Sequence, residues 1–170
     1  MVKKYKQNNY MYYIRTLLSA NHKKSRGYID LAVMEDDINS IYWMPYRQDG
    51  EDQQLFIKTK LEDVKEIFKK LKYTDKEEML KGETEVNFIR SKVIFKPIED
   101  DNIEITFTKP GFFEYRWPKE WLKIIKRITG YRKFPPRPYH DIVIIVRKID
   151  LINAMKEILE KLDELKNKED

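Results

Sequence analysis

The order of apolar and polar positions along the chain predicts a series of strands and a few amphipathic helices. β-branched and aromatic residues at every second position predict strands, whereas apolar residues three and four positions apart predict helices. The predicted strands are residues 10–18, 27–34, 40–46, 53–58, 86–96, 102–108, 112–117 and 141–148. The predicted helices are residues 61–72, 118–129 and 150–166, with a short one at 75–81.

One pattern occurs twice: a short strand followed by an amphipathic helix over residues 55–71 recurs 57 positions later. The matching apolar positions of the two helices are Val64 and Trp121, Ile67 and Ile124, Phe68 and Ile125, and Leu71 and Ile128. Each copy follows a predicted hairpin with an acidic turn, Glu35-Asp36-Asp37 in the first and Glu99-Asp100-Asp101 in the second. The chain is therefore predicted to contain two similar halves, each with a hairpin, a further strand and a helix.

These elements predict an α+β fold with antiparallel sheets, in which two similar strand-strand-strand-helix halves are followed by a C-terminal strand and helix. The first half is predicted over residues 1–72 and the second over residues 86–129, with residues 73–85 as a connector. Residues 130–170 supply a proline-rich basic loop, a strand and the last helix. With 170 residues and 41% hydrophobic content, the chain is long enough to bury one core as a compact unit.

Composition excludes several classes of protein. The absence of cysteine excludes disulfides, thiolate catalysis and thiolate zinc sites. No apolar run is long enough to span a bilayer and the N-terminus lacks the apolar stretch of a secretory signal, so we predict a cytoplasmic protein without a membrane partner. None of the five glycines is spaced as in a phosphate-binding loop, and we predict no cofactor.

Charge is distributed unevenly along the chain. Residues 1–29 hold seven basic residues and no acidic one, and residues 119–148 hold nine basic residues against Glu120 and Asp141. The chain carries a net charge of +5, so the remaining residues carry a net charge of −9. Such segregation favours a polyanionic partner, although the same lysines would also suit a solvated face paired with acids elsewhere in the fold.

Aromatic residues interleave with the basic ones, as the binding of unpaired nucleic-acid strands requires: cations for the backbone and rings for the bases. Segment 130–141, "GYRKFPPRPYHD", combines both types with three prolines, and is either a ligand-gripping loop or a stiff connector. The candidate binding residues are Lys3, Lys4, Lys6, Tyr10, Tyr12, Arg15, Lys23, Lys24, Arg26, Tyr42, Tyr46, Arg47, Tyr131, Arg132, Lys133, Phe134 and Arg137. In a strand over 40–46, Tyr42, Met44 and Tyr46 share one face, and either this face or the opposite one is expected to be exposed.

The order of elements resembles the strand-strand-strand-strand-helix units of the Whirly and PC4-like family of single-stranded-DNA-binding proteins over residues 10–129. The resemblance lies in topology and periodicity; the lysine-glycine-lysine-alanine signature of Whirly strands has no counterpart beyond the basic, glycine-ended Lys23-Lys24-Ser25-Arg26-Gly27. It implies sheets that bind unpaired strands through basic and aromatic side chains, and assembly into an oligomer.

The predicted function is a non-catalytic nucleic-acid-binding protein that prefers single-stranded DNA or RNA. The acidic turns could hold magnesium for phosphodiester cleavage, but surface turns are often acidic, and His140 and Asp141 would face opposite ways on a strand. We therefore predict that the protein binds no metal and is not an enzyme. A metal-dependent nuclease is the less favoured hypothesis. A protein-interaction or inhibitor module of a virus or mobile element would have similar composition. Apolar Ile152, Met155, Leu159 and Leu162 on the last helix suit either packing on the sheet or a seam between two copies.

Overall fold

A computed structural model of the protein describes residues 1–7, 10–20, 26–47, 53–55, 57–72, 84–88, 91–108 and 141–169. The strands in these ranges are β1 (Lys3–Gln7), β2 (Tyr10–Leu18), β3 (Gly27–Met34), β4 (Asp37–Arg47), β5 (Gln53–Gln54), β6 (Ile57–Lys60), β7 (Thr84–Phe88), β8 (Ser91–Ile98), β9 (Asn102–Phe107) and β10 (Ile142–Arg147). The helices are α1 (Leu61–Lys72) and α2 (Lys148–Glu169). The described elements have the α+β architecture that the sequence predicts, with antiparallel sheets and a C-terminal strand and helix.

The larger sheet contains six of the described strands, all antiparallel to their neighbours. Its order is β1-β2-β3-β4-β5, with β6 also pairing with β4. Strand β1 is the outermost of the described strands and pairs along its whole length with β2, from Lys3 opposite Ile14 to Gln7 opposite Tyr10. A register shift between Ala32 and Met34 interrupts the β3–β4 ladder just before the first acidic turn. The N-terminal strands therefore form a meander, and its first strand is an edge within the described part of the sheet.

The smaller sheet contains four of the described strands in the order β10-β9-β8-β7. Asp100 and Asp101 form the turn between β8 and β9 with φ of 61° and 54°. Aspartate tolerates this left-handed conformation better than most residues, and two such residues match the twist of a tight hairpin. The acids of the second acidic turn are therefore explained by the backbone conformation of the turn.

Both helices bury one face against the larger sheet. On α1, Val64, Ile67 and Leu71 are buried at the spacing of one helical face. Glu62 and Asp63 lie in the first turn of α1, where negative charge is favoured by the helix dipole. The described apolar stripe of α2 belongs to the same core, with Leu151, Ala154, Met155, Ile158, Leu162 and Leu165 buried and Ile152 and Leu159 partly buried. The apolar residues of the last helix therefore pack on the sheet.

A shared core joins the two sheets. Trp43 of β4 lies with its ring centroid 6.1 Å from that of Phe95 and 6.2 Å from that of Phe107 in the smaller sheet. Its indole N–H donates to Thr59 Oγ1 at 3.1 Å, and that hydroxyl donates to the carbonyl of Ile41 at 2.7 Å. The buried polar groups around Trp43 therefore have partners. We call the side of the larger sheet that carries Trp43 and the helices the first face.

A second, smaller cluster occupies the opposite side of the larger sheet, which we call the second face. It contains the buried residues Tyr12, Ile14, Ala32, Tyr42 and Met44, with Tyr5 and Met34 partly buried against them. Strand β4 is therefore buried on both faces from Ser40 to Tyr46. The expectation that one face of residues 40–46 would be exposed is wrong, because the residues on both faces are buried.

Gly27 is required at the start of β3. It has φ of +151°, and a Cβ atom built on it would lie 2.0 Å from the carbonyl oxygen of Tyr46 on the neighbouring strand. Any side chain would push β3 and β4 apart at this point, so only glycine permits the close backbone approach.

Several element boundaries differ from those that the sequence predicts. The single strand predicted over 86–96 is an antiparallel pair, β7 and β8, with Phe88 opposite Ser91. The run predicted over 53–58 belongs to two short strands, β5 and β6, and the last helix is longer at both ends than 150–166. Strand β1 was not predicted at all, because five residues with three lysines lack the apolar alternation of a half-buried strand.

The repeat of two halves is not confirmed. In the first half β6 follows β4 in the chain and pairs with it. In the second half, β8 and β10 occupy the two edges of β9 along its whole length, and β10 comes from outside the predicted repeat. The predicted strand 112–117, helices 75–81 and 118–129, and nearly all of loop 130–141 lie outside the described residues.

Candidate nucleic-acid interface

The described candidate residues fall into three parts of the larger sheet: the β1–β2 edge and the two ends of its central strands. Lys23, Lys24, Tyr131, Arg132, Lys133, Phe134 and Arg137 lie outside the described residues, as does the side chain of Tyr10. The possible site is therefore built from the remaining candidates and from the residues that the fold brings next to them.

The β1–β2 edge has exposed lysines on both faces. Residues opposite each other in an antiparallel ladder point to the same side of the sheet. Lys3, opposite Ile14, therefore lies on the second face, whereas Lys4, opposite Tyr13, and Lys6 lie on the first face. All three lysines are exposed. The edge strand thus presents positive charge on each of its sides.

Helix α2 neutralises part of the first face beside this edge. The guanidinium of Arg15 donates to Glu157, which also lies 3.4 Å from the N-terminal ammonium group. The hydrogen bond from Arg15 lowers the pKa of Glu157. Lys161 lies over the ring of Tyr13, 4.4 Å from its centroid, and forms an ion pair with Glu164 at 3.0 Å. Arg15 is therefore half-buried and used to bind the sheet to the helix.

A second group of candidates meets where β3 begins and β4 ends. Gly27 pairs with Arg47 and Tyr28 with Tyr46, so the exposed Arg26 lies next to this pair. The rings of Tyr28 and Tyr46 are stacked, with centroids 5.0 Å apart. The pairing of β3 with β4 brings these residues together although they lie about twenty positions apart in the chain. The sequence pattern alone did not predict this proximity.

Tyr42 lies towards the opposite end of β4, beside the first acidic turn. Its hydroxyl donates to Asp37 at 2.8 Å, and Lys58 Nζ lies 3.3 Å from the same carboxylate and 5.9 Å from the ring centroid. Burial acts to raise the pKa of Asp37, but hydrogen bonds from Tyr42, Ser40 and Lys58 together lower it. Asp37 is therefore held in its ionised form by its neighbours.

Three of the tyrosines predicted to stack on bases are buried. Tyr12 is 0% exposed, Tyr42 5% and Tyr46 7%. A base can stack only on a ring face that solvent reaches, so these rings are inaccessible in the folded protein. Alternation along a strand does not indicate this, because it cannot tell whether the second face of a sheet is covered.

Asp30 is the buried ionisable group that sequence reasoning missed. It lies on the second face of β3, is 2% exposed, and accepts a hydrogen bond from the Thr16 hydroxyl at 2.5 Å. Burial raises its pKa to about 6, against the smaller lowering effects of the Thr16 hydrogen bond and the charge of Lys3. The signal in the sequence is an aspartate inside an otherwise apolar strand, "YIDLAVM", since a charge is costly there.

The acidic turns show no clustering suited to a metal ion. Among the described residues, no group of three or more histidine, aspartate or glutamate side chains is arranged to hold one. Asp100 and Asp101 are exposed on their turn, and Asp37 is engaged with Tyr42 and Lys58.

Comparison of the chain with protein-family models, curated proteins and solved structures finds no match. Of the helices that the structure describes, none is long and apolar enough to cross a membrane.

Proposed function

We propose that this is a non-catalytic nucleic-acid-binding protein of the cytoplasm that prefers single-stranded DNA or RNA. The observation that carries the proposal is the charge of the β1–β2 edge. These two strands contain no acidic residue, and Lys3, Lys4 and Lys6 are exposed on β1; the fourth cation, Arg15, is engaged by Glu157. Phosphates that contact them would release counterions, which is the main source of affinity for nucleic acid.

Lysines on an edge strand also have a purely structural use, since they prevent unwanted pairing with other strands. The two roles are compatible, because like charges would oppose the pairing of β1 with a second copy of itself but would attract a polyanion. The exposed Arg26 adds a cation at the far end of the same sheet. The resemblance to single-stranded-DNA-binding proteins, and the oligomer it implies, stay predictions.

The proposal is tested by measuring the binding of fluorescent oligonucleotides by anisotropy. We expect tighter binding to a single strand than to a duplex of equal length, with an affinity that falls steeply as salt rises. Recovered oligonucleotide should be intact after incubation with magnesium. Weak and equal binding of both forms at moderate salt would contradict the proposal and favour a protein-interaction module.

A matched pair of variants locates the contacts. Replacing Lys3, Lys4 and Lys6 by glutamine should weaken binding and reduce the log–log salt slope by about 2, because each single-strand phosphate contact contributes ~0.7. The control replaces Lys65, Lys69 and Lys70 of α1, which are equally exposed, by glutamine. An equal loss in both variants would show that only the net charge of the protein matters.

A further inference from the structure

Tyr5 is a tyrosine of the β1–β2 edge whose ring is only partly buried. It lies opposite Tyr12 in the β1–β2 ladder and packs against the second cluster. Tyr12 is a fully buried member of that cluster, whereas no further strand flanks β1 in the described part of the larger sheet. Tyr5 is therefore packed against the second cluster and still partly exposed to solvent.

The other described tyrosines of the second face differ from Tyr5. Tyr12, Tyr42 and Tyr46 are buried, and Tyr28 is stacked on Tyr46. A base that stacked on any of the buried rings would first have to open the cluster. Tyr5 can accept a base without such a rearrangement, and its fixed position reduces the entropy lost on binding.

The charges around Tyr5 suit a nucleic-acid backbone. Lys3 lies on the same face two residues away, which corresponds to about 6.8 Å along a strand. Lys4 and Lys6 are its neighbours in sequence and point to the opposite face. An extended single strand that follows the outer side of β1 would therefore meet Lys3 on the face of the ring, and Lys4 and Lys6 on the other face of the strand.

We propose that a base of single-stranded nucleic acid stacks on Tyr5 while Lys3, Lys4 and Lys6 bind the phosphates beside it. This inference rests on the proposed function and adds a cause for the preference for single strands. The bases of a duplex are already stacked on one another and offer no free face to an edge tyrosine. The lysines, in contrast, attract both forms.

The test compares Tyr5→Leu with Tyr5→Phe in the full chain. Leucine keeps an apolar contact with the second cluster but removes the aromatic face, whereas phenylalanine keeps both. Tyr5→Leu should weaken single-strand binding about 5- to 10-fold, the low end of the effect of removing a stacking ring because only part of the ring is exposed. Duplex affinity and the salt slope should be unchanged, and Tyr5→Phe should bind like the wild type.

Thermal melting of both variants checks that a loss of binding is not a loss of folding. Photo-cross-linking of a 5-iodouracil oligonucleotide to the wild-type protein, followed by peptide mass spectrometry, should map to Tyr5. If the single strand binds but Tyr5→Leu binds equally well, or the cross-link maps elsewhere, the Tyr5 inference is wrong and the proposed function stands. If the wild type binds no single strand even at low salt, both are wrong.

Discussion

Strand β4 of the larger sheet and strand β9 of the smaller sheet differ in how many of their faces are buried. In the larger sheet, β4 is buried on both sides from Ser40 to Tyr46. In the smaller sheet, β9 alternates strictly: Ile103, Ile105 and Phe107 are buried in the shared core, and the residues between them are half-buried. The sequences reflect this difference, since "SIYWMPY" contains no charged residue while "NIEITF" alternates polar and apolar positions.

Alternation is therefore a reliable guide to burial in a strand with one covered face and a misleading guide in a strand with two. In β9 the apolar set is the buried set. In β4 both sets are buried, so the tyrosines of the second face resemble exposed ligand-binding residues in sequence but are inaccessible in the structure. Of the described second-face tyrosines, Tyr5 at the edge and Tyr28 at the end of the sheet are less buried.

The largest expected effect concerns the place where the two sheets meet. Trp43→Ala removes the ring that packs against Phe95 and Phe107 and leaves the Thr59 hydroxyl without its indole donor. We expect the free energy of unfolding to fall by about 3–5 kcal/mol. Urea unfolding followed by circular dichroism measures it; a loss below about 1 kcal/mol would mean that the sheets do not share a core.

A smaller effect tests whether the second face is a real core. Met44→Ala on that face should cost about 2–3 kcal/mol, because Met44 is buried in the second cluster. The matched control is Val143→Ala on the outward side of β10, which is half-buried and should cost less than about 1 kcal/mol. If urea unfolding gave equal losses of stability for Met44→Ala and Val143→Ala, the second face would be no better packed than the outward side of β10.

The smallest of the three effects is a gain in stability with a pH signature. The raised pKa of Asp30 means that the folded state binds a proton more tightly than the unfolded state, so its contribution to stability falls as pH rises from about 4 to about 6 and is constant above. Asp30→Asn keeps an acceptor for Thr16 but cannot ionise. We expect it to be more stable than the wild type by about 1–3 kcal/mol at pH 7.

At pH 4 the wild type and Asp30→Asn should have nearly the same stability, since Asp30 is protonated in the folded protein at that pH. Urea unfolding of both proteins at several pH values isolates this group, because the lowered pKa values of Asp37 and Glu157 affect both proteins equally. A difference that stays constant from pH 4 to pH 7 would show that Asp30 is not the group that titrates.

Local pattern was sufficient for much of the fold. Strands 10–18 and 27–34 and helix 61–72 have the boundaries that the sequence predicts. Their apolar periodicity is strong, and Gly27 and the acids of the first turn of α1 mark their starts. The split of residues 86–96 into β7 and β8 was missed, because Ile89 and Ile94 obscure the change of alternation between Phe88 and Val93.

The candidate site was predicted in part. Lysines on a charged N-terminal segment are expected to be exposed whatever the fold, and Lys3, Lys4 and Lys6 are exposed. Whether Arg15 is free to bind a ligand depends on α2, which lies more than a hundred residues later in the chain and supplies its partner Glu157. A single sequence has no local signal for a partner so distant.

The sequence by itself determined most of the described strands, both described helices and the places where positive charge accumulates, because these depend on neighbours within a few residues. The tertiary structure alone decided which rings are accessible. It buried both faces of β4, paired Arg15 with a distant helix and left Tyr5 partly exposed on the outermost strand. The physical reason is that burial depends on what packs above a face, and this is set by contacts between residues far apart in the chain.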